Sequence, residues 1–349
     1  MYPRLVLMTY NGVVLLLTGW QADEERVVRQ YREILQSVEY KYPYGSLWLL
    51  NRAKLERMTF NPSKAIEILR DGLSAERPVK FRQADALLLF ELSWTLLADR
   101  RYEEAAESFL KIKELNSWSH ATYTFIAAGC YLSLAKEKPE FKAKARAALD
   151  LVPQLLDRKK IGGRDLPTEV FIQKKIDFYK RKQVRRAGPG TESDYIDSIF
   201  VSPAEELAIF WNTHCRITTA IAQAHISNLV VLSPVISTAS GSFTQEKTET
   251  TAELDTADEI AVRHLLLANV EGKWSGQVSK FELAVTDLRE VPANASRDRW
   301  SQALKAATTH LDQAAARGGA NVDLSSRLDS RIALLRDEIE CKMQALGLK

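Results

Sequence analysis

Apolar residues recur along most of this chain at intervals of three and four, the pattern of helices that bury one face. The clearest stretch is 84–119. Leu88, Leu89, Leu92, Leu96 and Leu97 form one broad stripe, and after a break at residues 98–101 a second runs through Ala105, Ala106, Phe109, Ile112 and Leu115. Two helices with so short a connection form an antiparallel hairpin. Ser93 and Ala105 are small enough to let the helices cross closely, while Trp94, Tyr102 and Phe109 fill the space beside the crossing.

The same pattern recurs on both sides. Ala65, Leu69 and Gly72 stand forty residues before Ala105, Phe109 and Ile112, on a helix that follows Asn61-Pro62. Its partner carries Leu47, Leu50, Ala53, Leu55 and Met58, with Ser46 as the expected N-cap. Downstream, 121–134 supplies close-approach positions at Ala127, Ala128 and Gly129, and 141–151 turns Ala145, Ala148 and Leu149 inward. Tyr102-Glu103-Glu104-Ala105, followed by Phe109, is how the second helix of a tetratricopeptide hairpin opens. Such a hairpin cannot bury both faces alone and needs stacked neighbours. The expectation is an all-α, tetratricopeptide-type α-solenoid.

Further helices are expected over 23–40, 168–183, 203–232, 255–270, 274–291 and 300–316, with a closing helix over 324–346. Trp274 and Trp300 each stand three residues before an inward position, Gln277 and Ala303, as Tyr102 stands before Ala105. Trp48, Trp94, Trp118, Trp211, Trp274 and Trp300 fall at inward helical positions and read as core fillers. Ala187-Gly188-Pro189-Gly190 interrupts the pattern. The chain therefore divides into hairpin repeats over 1–186, a linker over 187–202, and C-terminal helical repeats over 203–349. The latter hold a Ser/Thr-rich insert, 237–254, without periodicity, expected to be disordered.

Composition narrows the class. The 349 residues are 46% hydrophobic and 27% charged, with only 11 prolines and 15 glycines, which suits a helical globular protein. Cys130, Cys215 and Cys341 are odd in number and widely spaced, as expected of reduced thiols in a cytoplasmic setting. The run 5–20 is apolar but shorter than the roughly 20 residues of a membrane span and is broken by Thr9, Asn11 and Gly12. It reads as a buried helix, with a membrane segment as the alternative.

Net charge is +3, yet 157–186 alone carries +7 and the remainder −4. Within it, Lys159, Lys160, Arg164, Lys174, Lys175, Lys180, Arg181 and Arg185 form the candidate surface for an anionic partner, such as a lipid headgroup or acidic peptide. The competing reading is a solvated face whose lysine stems cover Phe171 and Phe178. Nucleic acid is a poor fit, because no recognition module accompanies the charge. The five histidines show neither HExxH nor another ligand spacing, and no phosphate-loop, dinucleotide or nucleophile-elbow motif occurs. Neither a catalytic residue nor a cofactor or metal site is expected.

Several strings are more specific than a repeat consensus. They are Glu91-Leu92-Ser93-Trp94, Tyr102 to Ala106, Ser117-Trp118-Ser119, Gly162-Gly163-Arg164 with Leu166-Pro167-Thr168-Glu169, and Arg327-Leu328-Asp329-Ser330-Arg331-Ile332. Together these resemble the fungal inclusion-body clearance proteins and their animal relatives, the tetratricopeptide-repeat 39 proteins. The resemblance implies a non-enzymatic scaffold that binds partner proteins and clears misfolded-protein inclusions with lipid droplets. It also implies placement in cytosol, nucleus or at the mitochondrial outer membrane, and a longer parent of which this chain matches the C-terminal half. In that family another helix usually stands between Val291 and Trp300, so the last repeat is expected to be incomplete. The inner surface made by the first helices of the hairpins would receive the partner.

One test needs only the hairpin. Ala105→Trp should over-pack the crossing and lower stability by roughly 1–3 kcal/mol; an unchanged thermal midpoint would place Ala105 elsewhere.

Overall fold

A computed structural model describes residues 2–75, 82–116, 119–156, 160–161, 164–234, 253–271, 276–316 and 325–348. Three hairpins form its centre: α3 (Ser46–Met58) with α4 (Pro62–Ser74), α5 (Arg82–Ala98) with α6 (Tyr102–Leu115), and α7 (His120–Ala135) with α8 (Glu140–Leu155). Pro62 at the start of α4 needs no amide hydrogen there, and the Ser119 side chain caps α7 by accepting from the Thr122 amide at 3.2 Å. At α3 Gly45 is the capping residue and Ser46 the first helical one, one position away from the expected cap.

The hairpin residues pack as one core. Ser93, Ala105, Phe109 and Ala145 are fully buried, and Trp94 and Tyr102 nearly so. Trp94 meets Phe109 edge-on at 5.1 Å. Ala65 and Leu69 are fully buried one hairpin earlier, and a Cβ on Gly72 would stand 3.0 Å from Leu49. Trp118, Gln277 and Trp274 lie outside the residues whose side chains are described.

Helices α1 (Tyr2–Thr18) and α2 (Glu24–Glu39) flank this centre, burying Met8, Leu15, Tyr31 and Leu35 with Trp48 and Met58 of α3. Val6, Tyr10 and Val13 of α1 face solvent. No helix among the described residues is long and apolar enough to cross a membrane. At the other end, α13 (Gly276–Arg289), α14 (Arg297–Ala316) and α15 (Ser325–Ala345) form a second core that includes Trp300 and also takes in Trp20. α13 and α14 pack against each other across the short 290–296 connection, which holds no helix of its own. The first and last helices meet, and the Ala22 amide donates to Glu338 at 3.1 Å.

Four expectations change. The all-helical reading omits a two-residue antiparallel ladder, β1 (Lys160–Ile161) with β2 (Arg164–Asp165), ahead of α9 (Pro167–Ala187). The stretch 187–202 is not a free linker: its 3-10 turn, Glu192–Ser198, packs on α9, buries Tyr195 and Ile196 in the central core, and bonds Ser198 to Gln183. Of the insert 237–254, residues up to 252 are outside the described set, but Leu254 is buried with Val201, Ile209 and Leu266.

The largest change is in 203–232, where one long helix becomes three pieces: α10 (Pro203–Phe210), a 3-10 turn (Thr213–Arg216) and α11 (Thr219–Val230). Asn212 adopts the left-handed conformation, φ 49°, which ends α10, and Thr218 caps α11. The break lets α10 lie on the face of α7 that its hairpin leaves bare. Gly129 makes the approach possible, since a Cβ there would stand 2.5 Å from the Ala204 amide nitrogen. The small residue expected to serve the hairpin serves this insertion instead. Gly129→Ala should therefore destabilise by about 1–3 kcal/mol despite alanine's better helix propensity. A urea midpoint at or above wild type would contradict the contact.

Candidate functional site

With α10 and the 3-10 turn laid across them, α5 and α7 are buried almost all round. The inner surface expected to receive a partner is thus partly filled by the chain itself. Trp211, at the end of α10, stacks on Trp94 with centroids 4.7 Å apart and planes 20° apart. Beyond this stack a groove of about 410 Å³ stays open between α5, α7 and the start of α9. Its floor is Phe90, Trp94 and Trp211; Leu87, 47% exposed, stands at its edge. Its polar side is fixed from within, because Ser119 donates to Glu169 at 2.5 Å and Thr122 to Thr168 at 3.3 Å. An apolar floor with a preset polar wall suits an extended segment carrying one or two large apolar side chains.

A second constellation lies behind α10. Glu205 of α10, His214 of the 3-10 turn and His225 of α11 are all buried. His214 Nε2 donates to Glu205 Oε2 at 2.6 Å, and His225 Nδ1 is 3.9 Å from that oxygen. The two imidazoles meet edge-to-face, 5.0 Å apart at 82°. Arg100 reaches His225 Nδ1 at 3.3 Å, and Tyr102 is close enough to Glu205 to act on its carboxylate. Burial alone would raise the Glu205 pKa, but His225, His214 and Tyr102 hold it down at about 2. Burial lowers His225 to about 4, with Glu205 opposing and His214 and Arg100 adding to the shift.

These three residues went unnoticed in the sequence for a geometric reason. On one unbroken helix Glu205 and His214, nine positions apart, would point about 180° from each other. Only the turn at Asn212 folds them together. The expectation of no metal-ligand set rested on spacing within regular helices and did not reach this case. Among the described residues it is the one group of three His, Cys, Asp or Glu side chains whose ligand atoms lie close enough together for a single ion.

The basic segment does not present one surface. Lys159 lies outside the described residues, and Lys160 and Arg164 are placed only by their backbone in the β-ladder. Lys175 turns inward to Glu206 at 2.8 Å and lies over Phe171, Phe178 and Tyr179. Burial pulls its pKa down, but Glu206 and Tyr179 outweigh this and hold it above the usual lysine range. Lys182 is fully buried against Glu259 and the Glu253 carbonyl, and Arg185 pairs with Asp255 at 3.1 Å. Lys174 and Arg181 are exposed, with Lys180 partly so. Much of the positive charge on α9 thus holds the chain on either side of residues 235–252 to the central core.

The sequence matches the family model for Iml2/tetratricopeptide repeat protein 39 over residues 3–271. The chain belongs to that family. It is similar to the inclusion body clearance proteins of Yarrowia lipolytica (29% identical, over 53% of this chain and 26% of that protein) and Aspergillus fumigatus (31%, 64% and 32%). Against the Aspergillus clavatus protein it is 29% identical over 82% of this chain and 43% of the relative. The chain thus spans less than half the length of these relatives. No solved structure matches it.

The inward-turned charges are testable within the family fold. Glu259→Gln should cost roughly 3–5 kcal/mol, because it strands Lys182 without its counter-charge. Arg181→Glu, at an exposed position of the same helix, should stay within about 0.5 kcal/mol. Equal effects in chemical denaturation would show that Lys182 is solvated.

Proposed function

We propose that this chain is a non-enzymatic helical-repeat scaffold that recruits partner proteins during the clearance of misfolded-protein inclusions, in cooperation with lipid droplets. Cytoplasmic placement, with access to the nucleus, the mitochondrial outer membrane or droplet surfaces, belongs to the same reading. The observation that carries it is the groove on the inner side of α5 and α7, left open with an aromatic floor although the chain's own α10 covers the surface beside it. Support also comes from the family, whose similar fungal members bear the name inclusion body clearance protein. A helical-repeat scaffold contributes shape and adhesion, which is what gathering client proteins requires.

The partner would place an apolar side chain on Phe90 and Trp211 and run its backbone past Thr122 and Thr168. The splitting of the basic segment weighs against a broad electrostatic membrane surface, since Lys175, Lys182 and Arg185 are already paired.

The test uses a photo-crosslinking residue at position 87 of the full chain, in cells carrying an aggregating reporter. Crosslinks from 87 should be lost with Phe90→Ala, which removes part of the groove floor, while Leu87→Arg, at the exposed edge, should leave the thermal midpoint unchanged and slow inclusion clearance. Equal crosslinking from position 40, where Tyr40 is 99% exposed at the end of α2, would sink the proposal.

A further inference from the structure

We infer that Glu205, His214 and His225 form a binding site for one divalent transition-metal ion of the zinc class. The inference is independent of the partner groove. Two imidazoles and one carboxylate are a donor set that zinc, cobalt(II), nickel and iron(II) accept, and hard oxygen-only ions do not prefer.

The geometry is close to what an ion needs. One donor atom from each residue lies within 4.8 Å of the other two. Bonds of about 2.0–2.2 Å in a tetrahedral site place donors about 3.3 Å apart. The His214–Glu205 pair, now 2.6 Å apart across a shared proton, opens slightly, and the widest separation closes by about 1.5 Å. Side-chain rotation covers both movements. The ion takes the place of the proton between His214 and Glu205.

All three side chains are buried, and the atoms that converge are Glu205 Oε2, His214 Nε2 and His225 Nδ1. The other polar atom of each, Glu205 Oε1, His214 Nδ1 and His225 Nε2, is buried without a hydrogen-bond partner. On the two imidazoles that atom lies across the ring from the ion and is not what the ion satisfies, whereas Glu205 Oε1 can offer the ion a second carboxylate oxygen.

A space of about 90 Å³ adjoins the cluster, bounded by Arg100, Ser133, Lys136, Ser202 and Asn228. It is large enough for a water molecule as the fourth ligand. Binding through His225 Nδ1 releases Arg100, which then faces that fourth ligand, and with Lys136 favours one carrying negative charge. Glu205, His214 and His225 come from α10, the 3-10 turn and α11, so the ion joins the three pieces of the broken helix. Its role is that of a clip.

The test takes the full chain without an affinity tag, dialysed against a chelator and titrated with cobalt chloride. One equivalent should bind, with the intense visible absorption of four- or five-coordinate cobalt, and zinc chloride should displace it. His214→Gln and His225→Gln should each weaken binding at least tenfold, within the 10–100-fold range for perturbed sites or beyond it. His310→Gln, in the separate pair with Asp287 (3.4 Å), should leave it unchanged. No uptake by the folded wild type, or undiminished uptake by His225→Gln, overturns the site. Should both cluster variants fail to fold, histidine side-chain nitrogen resonances of the wild type decide. Two buried imidazoles shifting on zinc addition supports the site, and shifts confined to His120 or His264 refute it.

Discussion

The fold depends on one close approach, the seating of α10 against Gly129. From that contact one segment of fourteen residues, 203–216, reaches several parts of the molecule. Ala204, Leu207 and Ala208 extend the central core. Trp211 stacks on α5, and the Asn212 side-chain Nδ2 donates to the Leu16 carbonyl at 3.2 Å. Arg216 then binds Glu24 through both nitrogens, at 2.7 and 2.9 Å, and reaches the Gly19 carbonyl that Arg289 also holds. A single segment thus touches the N-terminal helices, the hairpins and the C-terminal core. Without a glycine at 129 its backbone could not come near enough to begin.

This arrangement explains why α5 and α7 look unlike ordinary surface helices. Both are apolar nearly all round, the composition of helices with neighbours on every side. In an open solenoid one face of such helices would be wet. Here the chain returns to cover it and leaves only the aromatic groove.

Local pattern reaches some of this and stops at identifiable places. The hairpins were legible because each is local: Ala105 and Phe109 meet residues on the preceding helix, and small residues at fixed spacing report the crossing. The family was legible in Trp94, Gly162-Gly163 and Leu166-Pro167. The break at Asn212 was not, although the polar run Asn212-Thr213-His214 and the capping residue Thr218 do interrupt the apolar spacing there. The fate of Lys175 and Lys182 was equally hidden, because their carboxylate partners, Glu206 and Glu259, lie 31 and 77 residues away. Charge density along a sequence says nothing about which charges are neutralised across the fold. The Glu205 cluster was hidden differently, by the turn at Asn212 that brings residues nine positions apart onto one side.

The contact between the first and last helices has a bearing on synthesis. The Ala22 amide and the Glu338 carboxylate are 316 residues apart, the longest-range hydrogen bond described here after that of Lys342 to Ala22, at 320. At about 5–20 residues per second, roughly 15–60 s separate the synthesis of α1 from that of α15, which contacts it. Through that interval Trp20 waits without α13–α15, although Met8, Leu15 and Leu16 of α1 already have α2 and α3 to pack on. Contacts between residues so far apart in sequence are slow to form, so α1 and α15 join after the hairpins between them. The indole of Trp20 is therefore apolar surface that stays uncovered while those hairpins are made.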